Sequence, residues 1–425
     1  MRRRRFFQTL AGSSALLPMI SEAAIAQAGG DHAAAENSSN IPAVIPGDLE
    51  AYFTEEKLRQ AIDTTAPLDG IKFEVVAYNF PSWHPSPYME KIFGKGWTEF
   101  ETLKNSRPLY PGHLFPKYPL WGYFNEAEPE WAEREIETAA EFGIDAWMID
   151  WYWHSGTMFY HEQLENGFLK ARNRSKLKFA LMWANHHWKN VYPARSPREA
   201  ATILPQLHSE ADALAAIDYC IEHYFHEPNY WRIGGLPVFA IFDVNLMLET
   251  FTPAQLKATL DKMRERAARA GLGGLHFQAS HVYGGHEGEL KALGFDSATM
   301  YHTFGWTYGE KPPGGRTPYG TAALGSIEAW RRTAAKVNVP FFPDCPVGWD
   351  DSPRFGPSAH MVTERTPDQY ERLLRAAKYF CAESSAKPKI IFLSAWNEWT
   401  EDHVLLPDSV FGYSYLEAVR RAFRG

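Results

Sequence analysis

The run Lys389-Ile390-Ile391-Phe392-Leu393-Ser394-Ala395-Trp396-Asn397-Glu398-Trp399-Thr400-Glu401 turns from apolar to acidic partway along its length. Its first half, rich in Ile, Phe and Leu, reads as a strand buried on both faces. Two carboxylates, set between two indoles, then stand where that strand should emerge. A carboxylate at a strand end must be solvated, paired or used, because a low dielectric raises its pKa and turns it into a proton donor. The structural alternative is that Glu398 and Glu401 merely open a helix, whose first turn favours acidic residues.

Working outward, seven further short apolar segments share this form: Phe73-Tyr78, Ala146-Trp151, Phe179-Trp183, Val238-Phe242, Leu275-Ala279, Ser297-Tyr301 and Pro340-Pro343. With Ile390-Ala395 they make eight. Helical patterns intervene at Pro129 to Phe142, Glu210 to Phe225, Pro253 to Ala270, Ile327 to Val337 and Pro367 to Phe380. Strand and helix in alternation imply an α/β protein with a parallel sheet, and eight repeats predict a (β/α)8 TIM barrel with long loops on the catalytic face. A doubly wound open sheet is the alternative. The stretch from Pro81 to Glu128 is too long for an ordinary connection and is crowded with Pro, Gly and Trp, the mark of a functional insertion.

The N-terminus reads as an address. Arg3-Arg4-Arg5-Phe6-Phe7-Gln8 follows the twin-arginine pattern, an apolar stretch runs from Leu10 to Ile20, and Ala26-Gln27-Ala28 supplies small residues for a signal peptidase. Residues 1–28 are therefore expected to be a twin-arginine signal peptide, 29–46 a flexible lead-in, and 47–425 a single domain. Export by this route predicts a periplasmic or secreted protein with no membrane anchor after cleavage; no nearby Cys offers a lipid site. An Arg-led surface helix is the alternative for the leader.

Composition narrows the function. With 45% hydrophobic and 22% charged residues in 425, the chain is globular. Its formal net charge is −8, and losing residues 1–28, with four Arg and one Glu, makes the remainder more acidic. No basic stripe interleaved with aromatics offers a phosphate-binding surface, so nucleic acid is not an expected partner. Cys220, Cys345 and Cys381 are odd in number and lack paired metal spacing, which argues against a disulfide framework. The pairs Gly234-Gly235, Gly273-Gly274 and Gly284-Gly285 read as turns, not as a phosphate-binding fingerprint. The chain is expected to act as a monomer without a cofactor.

In a barrel of this kind, site residues come from the carboxyl ends of the strands. Those ends carry Tyr78, Trp83 and His84; Asp150, Trp151 and Trp153; Asn185 and His186; Asp243; His281; Tyr301; Asp344; and finally Trp396, Asn397 and Trp399 beside the two glutamates. Nine of the 15 tryptophans fall at or just after strand ends: Trp83, Trp151, Trp153, Trp183, Trp188, Trp306, Trp349, Trp396 and Trp399. An aromatic face packs on the apolar face of a sugar ring while Asp, Asn and His bind its hydroxyls, so a carbohydrate substrate is predicted. The bland reading of each tryptophan is core. Zinc ligation by His186-His187 and His281 is the sharper alternative, yet adjacent residues of an extended segment point to opposite faces, and no metal is expected.

These motifs resemble the bacterial WbsX-like group, which is related to glycoside hydrolase family 99. The resemblance is carried by Ala77-Tyr78-Asn79-Phe80-Pro81-Ser82-Trp83-His84, Gly94-Lys95-Gly96-Trp97-Thr98-Glu99-Phe100, Arg107-Pro108-Leu109-Tyr110-Pro111-Gly112-His113, Glu141-Phe142-Gly143-Ile144-Asp145, the Trp396 to Glu401 motif and Tyr415-Leu416-Glu417-Ala418. It implies a (β/α)8 barrel and, through family 99, a retaining, endo-acting mannosidase. By that similarity Glu398 assists the sugar's own 2-hydroxyl in attacking the anomeric carbon, and Glu401 is the general acid and base. The family commonly has Gly after the second Glu. Here Asp402 and His403 follow, and Asp402 is expected to change the turn and to help raise the pKa of Glu401. Some members of the group bear the name glycosyltransferase, which leaves transfer beside hydrolysis. A carbohydrate-binding protein without catalysis and a metal-dependent hydrolase are the remaining alternatives.

Overall fold

Eight strands run parallel, β1 to β4 and β8 where the sequence becomes largely apolar: β1 (Phe73–Asn79), β2 (Ala146–His154), β3 (Lys178–Trp183), β4 (Leu236–Asp243), β5 (His276–His281), β6 (Ser297–Ala298), β7 (Asp344–Pro346) and β8 (Lys389–Ser394). The computed structural model describes residues 67–192, 200–282, 285–304 and 315–425. These lie in one compact unit, Pro46–Gly425. The leader and lead-in fall outside the described residues, as does Trp306.

In the sheet the strands stand in the order β6-β5-β4-β3-β2-β1-β8-β7, every neighbouring pair parallel. Register runs straight across the centre, with Ala77 opposite both Leu393 and Trp147. The two ends of this path are linked by one parallel bridge, Ala298 to Phe341: Ala298 N donates to Pro340 O at 2.9 Å and Phe342 N to Ala298 O at 2.9 Å. Covered on both faces, the strands are nearly all buried; in β1 only Glu74 and in β2 only Asp150 are not. This is the parallel-sheet pattern that the uninterrupted apolar runs require.

Helices α1 (Pro129–Glu141), α2 (Glu210–His223), α3 (Pro253–Arg269), α4 (Tyr319–Lys336), α5 (Pro367–Glu383) and α6 (Ser414–Phe423) follow the strands. Their starts are written locally: Ser209 caps α2, and Thr252 with Gln255 and Thr366 with Gln369 form reciprocal capping boxes on α3 and α5. Between β2 and β3 the chain folds back in a short antiparallel strand, Thr157–Phe159, and then makes short helical turns, Gln163–Gly167, Phe168–Lys170 and Arg174–Lys176. The insertion after β1 crosses here, and a Cβ on Gly167 would lie 2.2 Å from Glu126 O, so only glycine fits.

Two expectations shift. The seventh strand is not Pro340–Pro343 but Asp344–Pro346, because Pro340 and Pro343 lack the N–H a ladder needs. Helix α4 starts at Tyr319, not Ile327, since its first turns are small buried residues, Gly320, Ala322, Ala323 and Gly325, whose close packing hides the apolar period. All three cysteines are free and buried. Among the described residues no helix is long and apolar enough to cross a membrane.

Candidate active site

Past the end of β8 the chain is pinned before it turns. Trp396 N donates to Tyr78 O at 2.7 Å, and Asn397 Oδ1 accepts from Phe80 N at 2.7 Å, so the acidic motif is sewn to the end of β1. Asn397–Glu398 pairs antiparallel with His403–Val404, and Trp399–Glu401 makes a 3-10 turn between them. Asp402 closes the turn in the left-handed region, φ 53°. Glycine would sit there freely; Asp is among the few other residues that tolerate it. Both indoles are fully buried. Trp396 packs on Trp147 with ring centres 5.4 Å apart and donates Nε1 to Glu135 Oε1 at 3.2 Å. They anchor the turn from beneath.

The two glutamates face a cavity of about 450 Å3, lined also by Asp150, Tyr152, His186, Trp188, Tyr192, Phe242, Asp243, Tyr301 and Arg354. A single guanidinium organises the acids. Arg354, from the loop after β7, donates Nη1 to Glu401 Oε1 and Nη2 to Glu398 Oε1, and Nη2 also reaches Glu99 Oε1 at 2.8 Å. Tyr301 OH donates to Glu401 Oε2 at 2.9 Å. Glu398 Oε2, Asp150 Oδ1 and Arg354 Nε are buried without a partner. Buried polar atoms are normally satisfied, so three on residues that line one cavity mark a place that expects a ligand.

Burial raises the pKa of Glu398 well above the carboxylate range; Arg354 opposes this, while Glu401, Glu99 and Asp150 add to it. Burial also raises Glu401, against Arg354 and Tyr301. Asp150 is pushed well up by burial and by Glu401; its exposed part lines the cavity. Burial thus pushes Glu398, Glu401 and Asp150 alike toward the protonated form. Such a site can both give and take a proton.

Behind the turn lies a second line of buried polar groups. His84 is held between Glu126 Oε1 (Nδ1, 3.1 Å) and Glu162 Oε2 (Nε2, 3.2 Å), and Glu126 also accepts from Trp83 N at 2.7 Å and Asn397 Nδ2 at 3.4 Å. Burial alone would lower the His84 pKa, but the two carboxylates outweigh it and raise it. Among the described residues no group of His, Cys, Asp or Glu is arranged to hold a metal.

A model of the glycosyltransferase WbsX family matches residues 75–419, most of the chain. The chain belongs to the WbsX family. The "Uncharacterized protein WxcX" of two Xanthomonas campestris pv. campestris strains is 27% identical over 379 residues, covering 85% of this chain and 51% of its own. The chain thus spans about half the length of these relatives. Among solved structures, the GH99 endo-alpha-mannosidase from Bacteroides thetaiotaomicron superposes with a TM-score of 0.53 at 15% identity, over 83% of this chain and 96% of that one. A "Glycoside hydrolase-like protein" gives 0.55 at 13% identity, over 88% and 99%. This chain shares the fold of these two proteins.

Within this WbsX family member, six of the strand-end residues singled out by sequence line the cavity: Asp150, His186, Asp243, Tyr301, Glu398 and Glu401. The others sit around it. Asn185 clamps the backbone of Asp243 from both sides, donating Nδ2 to its O at 2.9 Å and accepting its N at 2.7 Å. Tyr78 meets Tyr301 edge-on at 5.2 Å, and His281 stacks on Phe242 at 4.7 Å. Asp344 lies fully buried, accepting from Ser394 Oγ at 2.7 Å. Trp83, Trp151, Trp396 and Trp399 are sealed in the core, and Trp153 stacks on Trp151 and donates to Asp212. Those tryptophans present no face to the cavity; Trp188 does.

Asp402 does not act on Glu401 as expected from their adjacency. The left-handed turn carries its carboxylate away to Lys117 Nζ at 2.9 Å and Arg365 Nη2 at 2.8 Å. Some residues of the cluster and cavity escaped the sequence reading as site residues, among them Tyr152, which stands between Trp151 and Trp153. Glu99 lay inside a quoted motif without a role, Tyr192 lies in a loop, and Arg354 follows Asp350-Asp351-Ser352-Pro353 without any signature.

Proposed function

We propose that this WbsX family member is a retaining glycoside hydrolase acting on a complex polysaccharide or oligosaccharide. What carries the reading is one observation: two buried glutamates share a guanidinium at the carboxyl end of a parallel strand, facing a sugar-sized cavity. The volume lies within the roughly 300–1,000 Å3 of small-molecule sites. Likeness in fold to the endo-alpha-mannosidase supports it. In this reading the sheet closes as a (β/α)8 barrel, and the chain is exported by the twin-arginine route and works as a monomer outside the cytoplasm.

Glu398 then takes the proton of the sugar's 2-hydroxyl as that oxygen attacks the anomeric carbon, giving an anhydrosugar. Glu401 protonates the departing glycosidic oxygen, and its carboxylate next takes a proton from the water that attacks the anomeric carbon, while Glu398 returns its proton to the 2-oxygen as the C1–O2 bond of the anhydrosugar breaks. Asp150, Tyr152 and Tyr301 offer hydrogen bonds to ring hydroxyls. In the free site Tyr301 and Arg354 both favour charge on Glu401. This division of roles therefore requires the proton to settle on Glu401 once a sugar is bound.

The test is to incubate the full chain with a panel of bacterial and plant polysaccharides and to analyse products. New reducing ends of retained anomeric configuration are expected; inverted products would sink the mechanism. The family's name favours a second reading, transfer to an acceptor sugar. Elongated product in the presence of an acceptor, with no hydrolysis in its absence, would establish that one instead.

A further inference from the structure

Glu99 comes from the insertion after β1, far in sequence from the acidic motif, yet it is fully buried in the same cluster. Its Oε1 accepts from Arg354 Nη2 and from Thr400 Oγ1, the hydroxyl between the two catalytic glutamates, and its Oε2 accepts from Tyr192 OH at 2.9 Å. Three donors thus converge on one buried carboxylate, which forms an ion pair with Arg354. Glu398 by contrast has one donor, Arg354, and an Oε2 with none. We propose that Glu99 is a positioning residue for the reaction: it anchors Arg354 and spends that residue's charge, so that Glu398 and Glu401 must share a proton between them.

The physical step is charge counting in a low dielectric. Were Arg354 balanced against Glu398 and Glu401 alone, the pair would bear one net negative charge and its last proton would leave readily. Glu99 cancels that cation, and two carboxyls left without a net counter-charge cannot both ionise cheaply. The described titratable groups around the pair are Asp150 and Tyr152 from β2, Tyr160 beyond it, Tyr192, Tyr301 and Asp351 beside Arg354, and, across the cavity, His186, His187, Lys189 and Asp243; Lys189 is exposed and makes no ion pair with either glutamate. Thus a residue that need not touch the sugar keeps the acid loaded at neutral pH.

This inference deepens the hydrolase reading and rests on it for its catalytic meaning, but its first test needs no substrate. Glu99→Gln keeps the shape and an acceptor for Arg354 while removing the charge. In protein labelled with 13C at Glu side-chain carboxyls, with Glu398→Gln and Glu401→Gln assigning the signals, the pair should titrate at lower pH in Glu99→Gln than in the wild type. Where a substrate is cleaved, the basic limb of kcat against pH should move the same way, with kcat above it falling about tenfold for each pH unit. Thr400→Val, which removes one donor from Glu99 and leaves Arg354 in place, should shift both in the same direction and less, and it serves if Glu99→Gln fails to fold. Unchanged titration of the pair in a folded variant, or a uniform loss of kcat with an unmoved profile, would overturn the proposal. Absence of any cleavage by the wild type, together with the shifted titration, would instead strike the hydrolase reading alone.

Discussion

Two buried ionic clusters lie on opposite sides of a single turn, and their charge balance differs. On the cavity side, Glu398, Glu401 and Glu99 share one guanidinium, with Asp150 unpaired nearby. On the other side, Asp402 and Asp408 meet two cations: Lys117 Nζ sits 2.9 Å from each, and Arg365 pairs with Asp402. Burial would raise Asp408, but Lys117 and the N–H of Phe411 outweigh it and hold it below the usual carboxylate range. The balanced cluster fixes the turn; the loop after β7 passes so close that a Cβ on Gly348 would lie 1.7 Å from Arg365 Nη1. The acid-rich cluster leaves protons unclaimed. Adjacent residues, Glu401 and Asp402, are thus sent to different clusters by the direction in which a left-handed residue turns its side chain.

This contrast is open to direct attack. Substituting Glu398→Gln should lower kcat on a cleaved substrate by about 10²–10⁴-fold, the range for losing a general base, while its unfolding midpoint in urea stays near that of the wild type. Lys117→Met should do the reverse. It strands the buried carboxylate of Asp408 and leaves Asp402 to Arg365 alone, at a cost of about 3–5 kcal/mol in a urea titration, while the molecules still folded keep most of their turnover. Arg354→Met should fall between, costing less stability than Lys117→Met, because burial already pushes Glu398 and Glu401 toward protonation, yet more activity. If Lys117→Met proved as harmless to stability as Glu398→Gln, the structural role of the balanced cluster would be lost.

The smallest effect is one of pH. His84 has a folded pKa above its ordinary 6.5, so the stability its charge contributes is fully present below pH 6.5 and is lost as pH rises through the raised value. His84→Gln should flatten the dependence of Tm on pH above 6.5 and leave the slope at acid pH to the carboxylates. An unchanged slope would remove His84 from the support of Asn397.

How much of this was legible in sequence follows from how local each signal is. The strands were readable because burial on both faces leaves a continuous apolar run, as in Ile390 to Leu393, and α3 and α5 announce themselves by Thr-x-x-Gln boxes. The seventh strand misled because its apolar residues are interrupted by proline. In the site, Glu398 and Glu401 were visible since three residues of one turn bring them together. Arg354 was not, for nothing near Pro353 hints that a guanidinium will reach a glutamate 255 residues away. The tryptophans show the opposite error: position at a strand end was clear, but whether an indole faces the cavity, like Trp188, or the core, like Trp396, is decided by neighbours such as Trp147 and Glu135.

The most direct measurement is on Glu401→Gln: product release from a substrate that the wild type cleaves, alongside calorimetric binding of the same substrate. If the acid-rich cluster does the chemistry, binding should stay within a few-fold of the wild type while release falls by about 10²–10⁴-fold. Release at the wild-type rate from a correctly folded Glu401→Gln would contradict it.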